Sequence, residues 1–189
     1  MDNSSVRLRS LFLLAVIACV AGLRGDDTPA MPPGLEWRAI PEIKGKLLVP
    51  AGWHFSDLSS SSAERKYRIT KSVPGKNGSF ETGLVLTVKI RPKDGSADQQ
   101  AQAFVHRYLA DGSVLQPFFE EDFGSMKAYG GVVSGNSSGR SLTYAVNAVA
   151  NPTTNTLYLF VFQTPAETFD EDWKIGQWLI GRFKLDDEV

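Results

Sequence analysis

The sequence has little cysteine and little histidine. Among its 189 residues there is one cysteine, Cys19, and there are two histidines. A single cysteine cannot form an intrachain disulfide or a metal site built on a cysteine pair, so the folded domain must be stabilised by its core. The charges are balanced, with 20 Lys and Arg against 21 Asp and Glu, and no basic cluster stands out. Nucleic acid is therefore not an expected partner.

Sequence motifs of common catalytic and cofactor sites are also missing. The chain contains no glycine-rich phosphate loop, dinucleotide fingerprint or calcium loop. The text closest to a nucleophile elbow, residues 135–139, has the wrong spacing and is typical of a hairpin loop. His106, on a predicted helix, has no carboxylate or cysteine three or four residues away, and His54 follows Trp53 in the first strand region, so neither is expected to be a metal ligand. We expect no cofactor and no metal.

A long apolar run is present at the N-terminus and nowhere later in the sequence. Arg7 and Arg9 precede the run LFLLAVIA, which is shorter than the roughly 20 residues that cross a bilayer as a helix. A charged start followed by a short apolar run is typical of a cleaved export signal, which we place at residues 1–21.

Cys19 ends this run, and two interpretations of it stay open. Val16-Ile17-Ala18-Cys19 resembles the lipobox of bacterial lipoproteins, in which cleavage occurs before the cysteine and the cysteine is lipidated. Alternatively, a signal peptidase cuts after Ala21 and leaves a free protein beginning at Gly22. Both interpretations predict a bacterial protein outside the cytoplasm. It is either a membrane-anchored lipoprotein or a periplasmic or secreted protein.

The rest of the chain predicts a linker and one domain. Residues 22–34 are rich in Gly, Pro and Asp and predict a flexible linker, and residues 35–189 form the domain. Two alternating runs, KYRITKSV and GLVLTVKI, flank the turn sequence PGKNGS and predict a β-hairpin. Ser96 and Gln99 form a capping box, which predicts that a helix begins there.

The second half of the domain predicts strands followed by a helix. Strand patterns occupy residues 125–134, 140–150 and 156–163, and the last is apolar on both faces, as in a central strand covered on two sides. Thr168 and Glu171 form a second capping box before a C-terminal helix. The stretch SVLQPFFEEDFGS before these strands shows no clear period. The predicted fold is α+β, an antiparallel sheet flanked by helices.

Three stretches carry a resemblance to a known family. LLVPAGWHF near the start, TLYLFVFQTP late in the chain and WLIGRFKL at the end are similar to the Mog1/PsbP-like superfamily. The resemblance implies an α/β/α sandwich, and it implies a mostly non-enzymatic protein because no catalytic residue is common to that superfamily. The residues that match its signature are Pro50, Trp53, Trp173 and Phe183.

The stretch PFFEEDF is the binding candidate of the sequence, because exposed aromatic residues beside charge often mark interaction surfaces. Burial of these phenylalanines under a loop is the alternative. The candidate residues are Phe118, Phe119, Glu120, Glu121 and Phe123.

The sequence therefore predicts an exported, non-catalytic binding or accessory protein with a protein partner in the cell envelope. A carrier of a small or apolar ligand, held between sheet and helix, is an alternative. A hydrolase that uses carboxylates from the acidic runs at residues 120–122 or 170–172 is a further one.

Overall fold

The computed structural model describes residues 31–137 and 139–183. The predicted export signal, Cys19 and most of the predicted linker lie outside the described residues, as do the last six residues of the chain. In the described part, nine strands and two α-helices follow one another, with short 3-10 turns at Pro41–Ile43 and Ala166–Thr168. The strands are β1 (Leu35–Ile40), β2 (Gly45–Pro50), β3 (His54–Asp57), β4 (Glu64–Thr70), β5 (Gly83–Ile90), β6 (Ser113–Phe123), β7 (Met126–Ser137), β8 (Arg140–Asn151) and β9 (Thr156–Pro165), and the helices are α1 (Ala97–Ala110) and α2 (Phe169–Gly181).

Seven of these strands form one antiparallel sheet. Their spatial order is β3-β4-β5-β9-β8-β7-β6, and β1 and β2 form a separate antiparallel hairpin. The sheet has a lower end, where β5 finishes at Ile90 and β9 begins at Thr156, and an upper end, where Thr70 of β4 pairs with His54. The predicted β4–β5 hairpin is confirmed, and so is the central position of β9.

The two faces of the sheet are covered by different layers. On one face, Ala97, Ala101 and Val105 of α1 pack against a cluster that includes Leu157 and Leu159 of β9. On the other face, α2 and the β1–β2 hairpin enclose the main core, which takes Tyr158, Phe160 and Phe162 from the same strand. Successive β9 residues thus enter different cores, as side-chain alternation requires. The α+β prediction, an antiparallel sheet flanked by helices, is confirmed.

The start of α1 follows its sequence signal. The Ser96 hydroxyl accepts a hydrogen bond from the Gln99 backbone N–H at 3.2 Å, and the Gln99 side chain accepts one from the Ser96 N–H at 3.3 Å. The predicted capping box is confirmed. In addition, the side-chain oxygen of Asn155 accepts from the Ala97 N–H at 2.8 Å, so the β8–β9 turn holds the same helix end.

The second predicted capping box is wrong. Thr168 precedes α2, but its side chain makes no capping bond, and its hydroxyl donates to Asp172 Oδ2 at 2.7 Å instead. The physical reason is the 3-10 turn at Ala166–Thr168, which runs directly into α2. Thr168 therefore has φ −109° and ψ 5° rather than the extended backbone of an N-cap residue.

Strand β6 was not predicted. Its pairing with β7 shifts register between Val114 and Gln116 and again between Gln116 and Phe119. Each shift breaks the period-two pattern by which a strand is recognised, and Pro117 lies in the second irregular stretch. The stretch without a clear period is an 11-residue edge strand.

Candidate functional site

The residues of the family signature lie in or against the main core. A turn closed by the bond from the Trp53 N–H to the Pro50 oxygen, 3.0 Å, uses Gly52 at φ 79° and turns the half-buried Trp53 toward the core. Trp173 stacks on Phe169, and Phe183 meets Phe160 edge-on. Packing accounts for all four signature residues.

The predicted binding candidate lies on edge strand β6, and its two described aromatic rings point to opposite faces of the sheet. Phe118 is half-buried and lies between His106 of α1 and Tyr129, with ring centroids 4.4 and 5.9 Å apart. Phe119 is half-buried against the main core, and a Cβ atom on Gly130 would collide with its ring. The side chain of Phe123 lies outside the description. These rings support the strand rather than form an exposed aromatic patch.

The carboxylates of the same stretch are accessible. We call Glu120, Glu121 and Asp122 the β6 acidic edge. Glu120 and Asp122 are exposed, and Glu120 lies 3.6 Å from the Lys127 ammonium on β7. Glu121 is half-buried, and burial raises the pKa of its carboxyl group above the ordinary value. This edge therefore presents negative charge at the lower end of the sheet.

The two edges of the sheet differ in length. Strand β3 has four residues, whereas β6 has eleven. Near the upper end of β6, Val114 and Leu115 are 50% and 53% exposed, although most large apolar residues of the described chain are buried. A short strand is a common way to protect a sheet edge, and β6 lacks this protection apart from its bulges.

Both histidines are exposed on the surface of the domain. His54 is exposed on edge strand β3, and His106 is exposed on α1 and stacks on Phe118. Among the described residues, no group of three or more His, Cys, Asp or Glu side chains could hold a metal ion.

Tyr129 joins β7 to α1 through buried polar contacts. Its hydroxyl donates to the Asp98 carboxylate, and the Gln102 amide donates to the Tyr129 oxygen at 3.2 Å. Burial raises the pKa of Tyr129 well above its ordinary value, and the hydrogen bond to Asp98 raises it further. The phenol therefore stays protonated and acts as a structural donor.

Asp172 lies at the start of α2 in a closed polar cluster. It is 7% exposed, and its carboxylate accepts bonds from Thr164, Thr168 and Lys71 at 2.6, 2.7 and 3.0 Å. Burial alone would raise its pKa, but these three bonds outweigh burial and hold the pKa below the ordinary value. Through these bonds the carboxylate joins β9, the start of α2 and Lys71, the residue that follows β4.

An open cleft of about 680 Å³ lies at the lower end of the sheet. Three separate segments form it: the 3-10 turn between β1 and β2, the end of β5, and the β8–β9 turn. The lining residues are Pro41, Glu42, Lys44, Ile90, Arg91, Thr153, Thr154, Asn155 and Thr156.

The cleft gathers unusual backbone conformations. Among the described residues other than glycine, positive φ angles occur at Lys44, Arg91 and Asn155, with values of 45°, 51° and 53°. All three line the cleft. Asparagine tolerates the left-handed region, but for lysine and arginine it costs on the order of 1 kcal/mol each. Strain of this kind often collects at functional sites.

Sequence reasoning missed this cleft. The sequence NPTTN at residues 151–155 is typical of a turn, but nothing in the sequence brings Lys44 and Arg91 to it. Their left-handed backbone also leaves no sequence signal, because such residues are normally glycine or asparagine. The cleft exists only once the three segments meet at the lower end of the sheet.

Comparison with known proteins identifies the fold of this chain. Neither a scan of protein-family profiles nor a search of curated proteins gives a match. Among solved structures, cyanobacterial PsbP from Synechocystis superposes with a TM-score of 0.51 over 86% of this chain and 99% of that chain, at 14% identity. The chain has the Mog1/PsbP fold. The resemblance predicted from the sequence is thereby confirmed at the level of the fold.

Two further structures with the Mog1/PsbP fold are similar to this chain. The Ran-binding protein Mog1p of Saccharomyces cerevisiae has a TM-score of 0.49 at 11% identity, covering 82% of this chain and 96% of that chain. A Mog1 point mutant has a TM-score of 0.48 at 13% identity, covering 80% and 95%. The fold assignment therefore rests on the cyanobacterial PsbP structure, and at 14% identity that structure shows the fold alone.

Proposed function

We propose that the chain is a non-catalytic binding protein that acts as an accessory subunit of a complex in the cell envelope. The observation that carries this proposal is edge strand β6, which is long, partly apolar at its upper end and acidic at its lower end. The Mog1/PsbP fold fits such a role, because the resemblance implies a mostly non-enzymatic family.

The proposed partner adds an extended segment to β6. The outer side of an edge strand offers unpaired backbone groups, and side chains of the added strand give specificity. Val114 and Leu115 would pack against apolar residues of the partner, and the β6 acidic edge favours a basic residue opposite Glu120 or Asp122. The regular segment Phe119–Phe123 is the part of β6 that pairs without bulges and is best suited to strand addition.

Export and anchoring belong to the same proposal. Cleavage before Cys19 and its lipidation would tether the domain through the linker at residues 22–34, and cleavage after Ala21 would release it outside the cytoplasm. The position of the linker root, the point at Gly34 where the linker meets the domain, supports a tethered arrangement. The Ala51 N–H donates to the Gly34 oxygen at 2.6 Å, which fixes the root at the upper end of the sheet, away from the β6 acidic edge.

The two alternative functions receive less support. The faces beneath α1 and α2 are filled by buried side chains, and a Cβ atom on Gly131 would lie 2.9 Å from Leu109, so an apolar carrier has no internal space there. For a hydrolase, the Asp172 carboxylate is already occupied by its three donors.

The partner is identified by photocrosslinking in the native host. A photoreactive residue replaces Asp122 on β6, and in a control strain it replaces Arg107, an exposed residue of α1. We expect a stoichiometric crosslink to one envelope protein from position 122 and none from position 107. Equal crosslinking from both positions, or none from position 122, would contradict the proposal.

Charge reversal tests the chemistry of the contact. The double variant Glu120→Lys and Asp122→Lys should weaken partner capture roughly tenfold or more, since like charges now face a basic partner. The control reverses two exposed acids elsewhere, Glu36→Lys and Asp111→Lys, and changes the net charge equally. If both double variants capture the partner equally well, the acidic edge is not the contact.

A further inference from the structure

The lining of the cleft at the lower end of the sheet includes several side chains that can donate hydrogen bonds. The Arg91 side chain is exposed and has no ion-pair or hydrogen-bond partner in the described part of the chain. Lys44 adds a second cation, and Glu42 is the one carboxylate in the lining. The Arg91 guanidinium, which forms no ion pair in the described part of the chain, is the cation available to an anion in the cleft.

The side-chain amide of Asn155 adds further hydrogen-bond donors to the cleft. Its Oδ1 atom accepts the bond from the Ala97 N–H at 2.8 Å, so the polar atom of the amide that remains is the nitrogen Nδ2. Both hydrogens of Nδ2 therefore stay available for an acceptor in the cleft. Thr153 is exposed, and its hydroxyl has no hydrogen-bond partner among the described residues.

Backbone hydrogen bonds hold these groups in place, at a cost in conformational free energy. The Arg91 N–H donates to the Asn155 oxygen at 3.0 Å, and the Lys44 N–H donates to the Pro41 oxygen at 3.1 Å. Glycine would adopt the backbone of position 91 without strain, yet the residue there is an arginine. An arginine held against its backbone preference, beside fixed amide donors, is the arrangement expected of a preorganised anion site.

We propose that this cleft binds a small organic anion through its carboxylate or phosphate group. The Arg91 guanidinium and the Asn155 amide bind the oxyanion, and Ile90 and Pro41 contact its carbon skeleton. The start of α1, held by Asn155, adds a favourable electrostatic potential for the anion. A volume of about 680 Å³ suits a ligand of metabolite size. The proposal does not depend on the proposed partner contact of β6.

The test follows backbone amide resonances of the full chain while sodium phosphate or sodium acetate is added at constant ionic strength, with sodium chloride as the reference. We expect saturable shifts at Arg91, Thr153 and Asn155 at millimolar concentrations. Saturation by phosphate identifies a phosphorylated ligand, and saturation by acetate identifies a carboxylate ligand. If neither anion gives saturable shifts beyond those of chloride, the proposal is overturned.

Variants of two arginines separate the site from general charge effects. Arg91→Gln should weaken anion binding roughly tenfold or more, whereas Arg107→Gln on the exposed face of α1 removes the same charge and should leave binding unchanged. Equal weakening by both variants would show a diffuse charge effect and overturn the proposal. Arg91→Gly provides a second readout, because it should abolish binding without lowering the melting temperature. The melting temperature thereby distinguishes a loss of binding caused by unfolding from a loss caused by the missing guanidinium.

Discussion

At the residue scale, Asn147 is a buried amide without partners. It is 3% exposed on β8, and neither its Nδ2 nor its Oδ1 atom has a hydrogen-bond partner in the described part of the chain. Leaving a buried polar group unpaired costs about 1 to 3 kcal/mol of folding free energy. Asn151, on the same strand and 1% exposed, is the opposite case, because its Oδ1 accepts from the N–H groups of Thr153 and Thr154 at 3.0 and 3.3 Å.

These two residues give a matched prediction. Leucine has the same branched arrangement of heavy atoms as asparagine, so Asn147→Leu removes two unpaired polar atoms without lengthening the side chain. We expect it to raise the free energy of unfolding by about 1 kcal/mol or more, whereas Asn151→Leu should lower it by about 1 to 3 kcal/mol. Urea denaturation of both variants and the wild type measures the difference. A destabilised Asn147→Leu would mean that Asn147 has a partner such as a buried water or a ligand.

At the scale of elements, the sequence predicted those whose signals are local. The α1 capping box needs only Ser96 and Gln99, and β9 shows its central position by being apolar on both faces. Strand β6 could not be predicted because its bulges depend on how β7 lies beside it. The cleft could not be predicted because three distant segments form it. The capping box predicted for α2 failed because the 3-10 turn before the helix, invisible in the sequence, redirected Thr168 to Asp172.

Asp172 is the junction that holds α2 to β9, and it makes stability depend on pH. The folded-state pKa is lowered from the ordinary value of 3.8, so the unfolded chain binds the proton more readily. The resulting stability is present above the unfolded pKa and is lost as the pH falls through the lower folded pKa. Asp172→Asn should therefore lower the free energy of unfolding by about 2 kcal/mol at neutral pH, with a smaller difference in acid.

The control for this junction is Asp170→Asn, in the same helical turn. Asp170 is exposed, so its replacement should change stability by no more than a few tenths of a kcal/mol at neutral pH. Denaturant titrations of the wild type and both variants, from neutral pH down to about pH 3, measure the effect. A deficit of Asp172→Asn that stays constant over this whole range would contradict the assigned role of the ionised carboxylate.

At the scale of the whole molecule, the cleft and the β6 acidic edge lie at the end of the sheet opposite to the proposed linker. The bond between the Ala51 N–H and the Gly34 oxygen places Gly34, the last residue of the proposed linker, at the upper end of the sheet, whereas the cleft and the β6 acidic edge lie at the lower end. Strands of 12 residues such as β7 span on the order of 35 to 40 Å, so the two ends are well separated. Neither described helix is long and apolar enough to cross a bilayer. A tether through the proposed lipid on Cys19 would leave the cleft and the β6 acidic edge accessible to a ligand and to a partner.

Attachment through Cys19 makes a prediction for the intact cell. Cys19→Ser removes the thiol that a lipid would modify, and it should move the protein from the membrane fraction to the soluble fraction or block its processing. The intact mass of the wild-type protein should show a chain that begins at Cys19 and carries acyl groups. The matched control, Val20→Ser, leaves the lipobox intact and should stay in the membrane fraction. The opposite result would be a wild-type chain that begins at Gly22, carries no lipid and keeps its distribution in the Cys19→Ser variant. That result would establish a freely secreted protein, and no membrane would then constrain how its domain meets a partner.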